Sequence, residues 1–198
     1  MSDNTVHIAA FAGSIRAGSF NRHLLRIAEQ HLPMNATLEI LDLSAIPMLT
    51  AEVEKAGFPS EVIHFRAKLR DADAILIATP EYNTSIPGVL KNAIDWASRG
   101  ENGLPGPLNL KPVAIMGAGG RTATARAQSH LRQITNHLNM YTINKPEVII
   151  SMVPNQPFDA AGNLDDTAAH QLIAELLRNL VTFTLKIKAP MTTPYAIN

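Results

Sequence analysis

Residues 72–96 read ADAILIATPEYNTSIPGVLKNAIDW, which predicts a buried strand, a polar loop and a helix in direct succession. Residues 74–78 are a short apolar run bounded by polar residues, as expected for a parallel-sheet strand covered on both faces. From Val89 onward the apolar residues recur at helical spacing, with Pro87 near the start and Gly100 just past the end. The loop between them carries aromatic, amide, carboxylate and hydroxyl groups at the carboxyl end of a strand. Open α/β sheets bind their ligands at such positions.

The same alternation of strand and helix continues along the rest of the chain. Further strands are predicted at residues 6–12, 37–43, 112–116 and 148–152. Helical periodicity begins near Leu24, after Pro59, near Ala123 and after Asp166, while the proline-containing loop through Pro47 has no assignment. Five strands alternating with five helices indicate a parallel sheet with right-handed crossovers, covered on both faces. Periodicity alone does not give the order of the strands.

Composition limits the possible classes of function. With 198 residues and 46% hydrophobic content, the chain can bury a full core, and its length favours a single domain. Lys plus Arg and Asp plus Glu are both 17, so no basic excess indicates a nucleic-acid or membrane-surface partner. No apolar segment approaches the roughly 20 residues needed to cross a bilayer, and no signal-peptide pattern opens the chain. The absence of cysteine excludes disulfides and fits a reducing compartment, so we expect a cytoplasmic protein.

The loop after the first strand contains the groups that a phosphate monoester requires. Gly13 permits close backbone approach, Ser14 and Ser19 offer hydroxyl groups, and Arg16 offers a fixed positive charge. Asn21 lies at the amino end of a helix, where free N–H groups point outward. The spacing is neither GxGxxG nor GxxxxGK[ST], so the dinucleotide and Walker interpretations have no support. The alternative is an ordinary serine-rich turn between a strand and a helix.

The loop after the third strand is suited to gripping a flat ring at its polar edge. The backbone N–H groups of Glu81 to Asn83 are candidate donors to ring acceptors, and the Asn83 amide carries both a donor and an acceptor. Tyr82 is a candidate to pack beside the ring or to shape a substrate slot. Ser85 is equally suited to be a helix cap or a ligand. The alternative is a proline-closed surface turn in which the tyrosine fills a crevice.

Two motifs in this chain resemble the signatures of the NADPH-dependent FMN reductase family, which includes quinone, azo-dye and chromate reductases. They are TPEYNTSIPGVLKNAIDW at residues 79–96 and GSIRAGSFNRHLL at residues 13–25. The resemblance implies a flavodoxin-like three-layer sandwich, with a five-stranded parallel sheet in the order 2-1-3-4-5. In that order, the loops after strands one and three face each other across one crevice. We therefore expect a single FMN-binding domain over residues 1–188, followed by a tail over residues 189–198.

The resemblance also implies the cofactor, the co-substrate and the assembly. It implies bound FMN, NADPH or NADH as co-substrate, small-molecule electron acceptors, and a homodimer or homotetramer with the third helix and its preceding loop at the interface. No side chain is expected to act as a catalytic group, because the hydride chemistry belongs to N5 of FMN. The seven histidines form no HExxH motif, so we expect no metal site.

A third loop, residues 117–121, is expected beside the ring. Many members of the family have a serine second in this loop and a proline before its glycine pair, where this chain has Ala118 and Gly119. Arg121 has three possible roles: binding the 2′-phosphate of NADPH, pairing with Glu81, or remaining a solvated arginine. The predicted cofactor-binding residues are Ser14, Arg16, Ser19, Phe20, Asn21, Pro80, Glu81, Tyr82, Asn83, Ser85, Gly117, Gly119, Gly120 and Arg121.

Two other functions on the same fold are alternatives to the enzyme. A flavodoxin-type electron carrier serving protein partners is the alternative, although such carriers tend to be strongly acidic and this chain is neutral. A receiver-type signalling domain is disfavoured, because Ala10, Phe11 and Ala12 at the end of strand one include no acidic pair to hold magnesium.

Overall fold

A parallel sheet lies at the centre of the computed structural model, which describes residues 5–101 and 103–189. Its strands are β1 (Val6–Ala12), β2 (Ala36–Leu41), β3 (Ala74–Ala78), β4 (Pro112–Gly119), β5 (Tyr141–Thr142) and β6 (Val148–Ser151). The path of hydrogen-bonded strands runs β2-β1-β3-β4-β5, and all of these pairs are parallel. The predicted fold class and strand order are therefore confirmed.

The fifth strand position is divided between two short segments. β5 pairs with Pro112 and Val113 at the start of β4, whereas β6 pairs with residues 116–119 at its end. The intervening chain contains Pro146, which has no N–H to donate to a strand neighbour. The prediction placed one strand at 148–152 and missed β5, because two residues are too few to show a periodic pattern.

Helices cover both faces of the sheet in the described part of the chain. They are α1 (Phe20–Gln30), α2 (Ala51–Ala56), α3 (Ser60–Asp71), α4 (Gly88–Ser98), α5 (Ala125–His137) and α6 (Thr167–Lys188). The short helix α2 lies in the loop that the sequence left unassigned. Its N-cap Thr50 accepts a hydrogen bond from the backbone N–H of Val53, and none of its residues is buried. A helix without a buried stripe has no periodicity to reveal it.

Alternate residues of β1 point into two separate cores. Ile8 packs in the core beneath α1 and α6, while Phe11 packs in the core beneath α3 and α4. Phe11 meets Phe65 of α3 edge to face, with ring centroids 5.6 Å apart. This two-sided burial explains why the central strands are continuous apolar runs. It also directs the polar loops to the ends of the sheet.

Within residues 5–101 and 103–189, none of the helices combines the length and apolar character that a membrane-spanning helix requires. The predicted tail lies outside the described residues, apart from Ala189.

Candidate active site

The loops that follow β1 and β3 leave the sheet side by side. The N–H of Gly13 donates to the carbonyl oxygen of Ala78 at 2.8 Å. A Cβ added at Gly13 would lie 3.2 Å from Cδ of Pro80 and 3.1 Å from Cδ2 of Leu90, which is tight for any side chain. Gly13 and the buried Pro80 thus bring the two loops into contact at their bases. This is the switch point expected between strands one and three.

The loop after β1 offers several polar groups that the protein itself does not use. Ser19 is the N-cap residue of α1, but its side chain makes no capping hydrogen bond. The hydroxyls of Ser14 and Ser19 have no hydrogen-bond partner among the described residues, although both residues are more than nine-tenths buried. The Arg16 guanidinium lies 5.7 Å from the ring centroid of Phe20 and pairs with no described carboxylate. These groups surround a helix amino end, and they fit a phosphate group without a metal.

The side chain of Asn21 links the start of α1 to β4. It is 2% exposed, and its side-chain Nδ2 donates to the carbonyl oxygen of Ala118 at 2.9 Å while its Oδ1 accepts from the Ala118 N–H at 3.0 Å. Both polar atoms of the amide are therefore occupied. The side chain of Asn21 thus fixes the start of α1 to β4, and the predicted contact of this residue with the cofactor stays a prediction.

The PEYN loop folds into a tight turn between Tyr82 and Ser85. Each of these two residues donates its N–H to the other's carbonyl oxygen, at 2.9 and 3.0 Å. The two central residues, Asn83 and Thr84, have positive φ values of 49° and 65°, as in a type I′ turn. The expectation that the Tyr82 N–H is free for a ring acceptor is therefore wrong. The side chains of Tyr82 and Asn83 remain exposed at the tip.

Ser85 does not cap α4, because the N-cap position is Pro87 and no side chain caps this end. Its Oγ instead lies 2.9 Å from Nδ1 of His130 on α5. The cap alternative for Ser85 is thus excluded. The hydrogen bond links the end of the turn to a neighbouring helix.

Glu81 holds the amino end of α5. Its side chain is 8% exposed. The carboxylate accepts hydrogen bonds from Thr122 Oγ1 at 2.8 Å, the Arg126 N–H at 2.9 Å and the Ala127 N–H at 3.1 Å. Burial opposes ionisation, but these hydrogen bonds outweigh it and hold the pKa of Glu81 below its usual value. The alternative pairing of Glu81 with Arg121 is wrong, since Arg121 is exposed and the nearby guanidinium is that of Arg126, at 3.9 Å.

Two of the glycines assigned to the third loop belong to the sheet. β4 extends to Gly119, and a Cβ at Gly117 or Gly119 would collide with the loop around Ala123 and Thr124. Their glycine identity is thus explained by packing within the protein. Gly120 differs, because a Cβ there would meet nothing within 4 Å. The third loop is therefore shorter than predicted, and Gly120 and Arg121 are its open part.

A fourth segment at this edge of the sheet was missed. The chain after β6 crosses the start of α1, where Phe158 packs on Phe20 with ring centroids 5.0 Å apart. Gly162 lies directly against the ring of His23, leaving no room for a Cβ. The signal in the sequence was weak, because this segment has neither periodicity nor a recognised motif. Thr122 and Arg126 were also missed, because their contacts with Glu81 join residues 41 and 45 positions apart in the sequence.

Across the described ranges, no three His, Cys, Asp or Glu side chains are placed to hold a metal ion. The ligand contacts of the predicted site residues remain predictions.

Comparisons with known proteins agree with this geometry. Residues 6–155 match the family model described as NADPH-dependent FMN reductase. The chain is 46% identical over 189 residues to an NAD(P)H-dependent FMN reductase of Pseudomonas aeruginosa, with 95% of this chain and 100% of that protein covered. It is 40% identical over 192 residues to an NADPH:quinone oxidoreductase of Arabidopsis thaliana, with 92% and 94% covered.

Among solved structures, the flavoenzyme NAD(P)H:(acceptor) oxidoreductase FerB of Paracoccus denitrificans is similar, with a TM-score of 0.79 and 26% identity. The match covers 92% of this chain and 98% of that one. The chain therefore belongs to the NADPH-dependent FMN reductase family, which confirms the predicted resemblance, the oxidoreductase class and the use of FMN with a nicotinamide co-substrate.

Proposed function

We propose that this chain takes a hydride from NADPH or NADH onto FMN bound between the loops after β1 and β3, and passes the electrons to small-molecule acceptors. The observation that carries the proposal is the contact of these loops at Gly13 and Pro80, with unused polar groups beside it. Quinones are the first acceptors to test, because relatives from Arabidopsis thaliana and Escherichia coli are named quinone oxidoreductase or quinone reductase. Azo compounds, chromate and free flavin are further candidates.

The phosphate of FMN is assigned to the loop after β1. Ser14 and Ser19 donate from their hydroxyls, Arg16 supplies a positive charge, and the free N–H groups at the start of α1 complete the site. Phe20, packed on Phe158, fixes the position of this helix end. A charged phosphate held in this way needs no metal ion.

The ring of FMN is assigned to the space bounded by the PEYN turn and the open part of the third loop. Tyr82 and Asn83 offer side chains at the tip, and Gly120 leaves room for close approach beside Arg121. When bound, FMN supplies the hydride acceptor and donor at its N5 atom. The protein's part is to hold the ring so that the nicotinamide carbon can come within about 3 to 3.5 Å of N5. Arg121 is the candidate contact for the 2′-phosphate of NADPH.

Because both substrates would use one open face, the kinetics should be ping-pong. Initial rates measured over a grid of NADPH and quinone concentrations should give parallel double-reciprocal lines. Intersecting lines would contradict a shared face. The alternative, a flavodoxin-type electron carrier, predicts slow reduction by NADPH and a stable one-electron-reduced state during dithionite titration.

We further propose a cytoplasmic homodimer or homotetramer, with α4 and the loop before it at the interface. The cysteine-free composition supports the reducing compartment. On α4, Lys91 and Asp95 form an ion pair at 2.7 Å on the exposed side of the helix. Sedimentation velocity of the FMN-loaded protein tests the assembly, and an active monomer that retains FMN would refute it.

A further inference from the structure

Backbone strain is concentrated in two loops at the candidate site. Of the five non-glycine residues with positive φ in the described chain, Asn83 and Thr84 lie in the PEYN turn and Ala123, at 52°, lies in the loop before α5. A β-branched residue such as Thr84 rarely adopts this conformation. Strained backbone of this kind persists where the surrounding structure holds it in place.

Glu81 joins these two strained loops. It immediately precedes the turn that starts at Tyr82, and its Oε1 accepts from the hydroxyl of Thr122, which immediately precedes Ala123. Its Oε2 accepts from two backbone N–H groups of α5. One buried carboxylate therefore connects both loops to the same helix end.

The helix does not cap itself. Thr124 is the N-cap residue of α5, but its side chain makes no capping bond and instead accepts from Nε2 of Gln128 at 3.0 Å. The cap comes from Glu81, which lies in a different loop. Since Glu81 supplies the capping hydrogen bonds, its removal should loosen the start of α5.

The charge of Glu81 opposes the charge of the helix end. The amino end of an α-helix carries roughly half a positive elementary charge, which stabilises negative charge placed near it. Glu81 is ionised at neutral pH, because its hydrogen bonds keep its pKa low. The positive end of α5 is thus already neutralised on the side that faces the PEYN loop.

We propose that Glu81 is a positioning residue that holds the two strained loops against the bound ring, and that its negative charge lowers the reduction potential of the bound FMN. This inference rests on the proposed function. A reduced flavin ring carries added negative charge, which a nearby positive end stabilises and a nearby carboxylate disfavours. A lower potential favours passing the electrons onward to an acceptor.

Two substitutions separate geometry from charge. Glu81→Gln removes the charge at nearly constant shape, whereas Thr122→Val removes one hydrogen bond and leaves the charge in place. FMN affinity is measured by fluorescence titration, and the potential of the bound flavin by equilibration with a reference dye. We expect Glu81→Gln to weaken FMN binding by about tenfold and to raise the potential. Thr122→Val should weaken binding by less and leave the potential unchanged.

Glu61→Gln is the matched control, because Glu61 is an exposed carboxylate on α3 with a single side-chain partner, Ser60. It should change neither quantity. An unchanged potential in Glu81→Gln, or an equal change of potential in Thr122→Val, would overturn the inference.

Hydrogen exchange of the Arg126 and Ala127 amides tests the positioning role in the FMN-free protein. Both amides should exchange faster in Glu81→Gln, and equal protection in the variant and the wild type would contradict the role. This readout does not need FMN. A protein that binds no FMN would therefore refute the proposed function, while hydrogen exchange would still test the positioning role of Glu81.

Discussion

The side-chain amide of Asn21 forms a pair of hydrogen bonds with the backbone of Ala118, at 2.9 and 3.0 Å, across the layer between α1 and β4. β3 pairs with β4 only as far as Ala78 and Met116, so the strand beyond this point lacks β3 as a neighbour. Asn21 takes the place of that neighbour. The start of α1, where the phosphate is expected, is thereby held at a fixed distance from the strand that leads to the third loop.

Replacement of Asn21 by Ala should destabilise the protein. Both polar groups of Ala118 that it satisfies are buried, and we expect a loss of about 2–4 kcal/mol in the free energy of unfolding. Urea denaturation of the FMN-free protein measures this loss. The control is Asn136→Ala, at an exposed position on α5, which should change stability by less than about 0.5 kcal/mol. Equal losses in the two variants would contradict the assigned role of Asn21.

Adjacent glycines at the end of β4 should respond differently to the same substitution. A Cβ at Gly119 would collide with the carbonyl group of Ala123, so Gly119→Ala must displace the third loop. Gly120→Ala adds its methyl group to open space. We expect the first variant to lose about 1–3 kcal/mol of stability and the second to lose little. Thermal unfolding of both variants measures this difference in stability. A greater loss in Gly120→Ala than in Gly119→Ala would show that the loop is packed differently.

Arg66 is a buried cation that closes the carboxyl end of α4. Its Nη1 donates to the carbonyl oxygens of Trp96 at 2.7 Å and Arg99 at 2.8 Å, and its guanidinium lies 4.4 Å from the ring centroid of Phe58. Arg66→Met should cost about 3 kcal/mol, because it removes both hydrogen bonds from buried groups. The carbonyl oxygen of Trp96 keeps the N–H of Arg99 as a partner, whereas that of Arg99 is left without one among the described residues. Denaturation with urea gives the value. The control is Arg70→Met, at an exposed position on α3, the helix that also carries Arg66. An equal loss of stability in the two variants would argue against a special role for Arg66.

The pH dependence of stability should include a contribution from two histidines that join α1 to α6. Nε2 of His31 lies 2.8 Å from Nδ1 of His170, whose Nε2 lies 2.9 Å from the carbonyl oxygen of Leu164. A carbonyl only accepts, so His170 donates from Nε2 and its Nδ1 accepts from His31. Burial, and then the neighbouring His170, hold the pKa of His31 below 6.5.

The sign follows from which state binds the proton first. The unfolded chain protonates His31 near pH 6.5, while the folded protein resists until a lower pH. This contribution to stability is therefore complete above about pH 6.5 and is lost as pH falls through the lowered pKa. The urea concentration at the unfolding midpoint should decrease as the pH is lowered from 7 to 5. This decrease should be smaller in His170→Gln. The control His64→Gln, at an exposed position on α3, should show the same decrease in the midpoint as the wild type. A decrease in His170→Gln equal to that of the wild type would contradict the coupling of His31 with His170.

The sequence was sufficient for the parts of the fold that have strong periodicity. Buried strands such as Ala74–Ala78 are continuous apolar runs, so the alternating strands and helices, and through the family resemblance their order, were predicted correctly. β5 was not predicted, because two residues are too few to show a periodic pattern. α2 was not predicted, because a helix without buried residues has no apolar face that the sequence could reveal. The site was predicted as a set of loops.

The sequence could not show which polar side chains form hydrogen bonds within the protein. Ser14 and Arg16 kept the unpaired character expected of ligands, whereas Asn21 and Glu81 proved to be bound to backbone groups far away in sequence. Such partners depend on tertiary contacts that no local pattern encodes. For the same reason, the packing that requires Gly117 and Gly119 became visible only in three dimensions.

The most direct measurement is anaerobic rapid mixing of the FMN-loaded protein with NADPH, following the visible absorbance of the bound flavin. If the crevice formed by the loops after β1 and β3 holds FMN with one face open, the absorbance should bleach at least as fast as the enzyme turns over with a quinone. A protein that takes up no FMN, or whose bound flavin stays oxidised over the turnover time, would contradict the account.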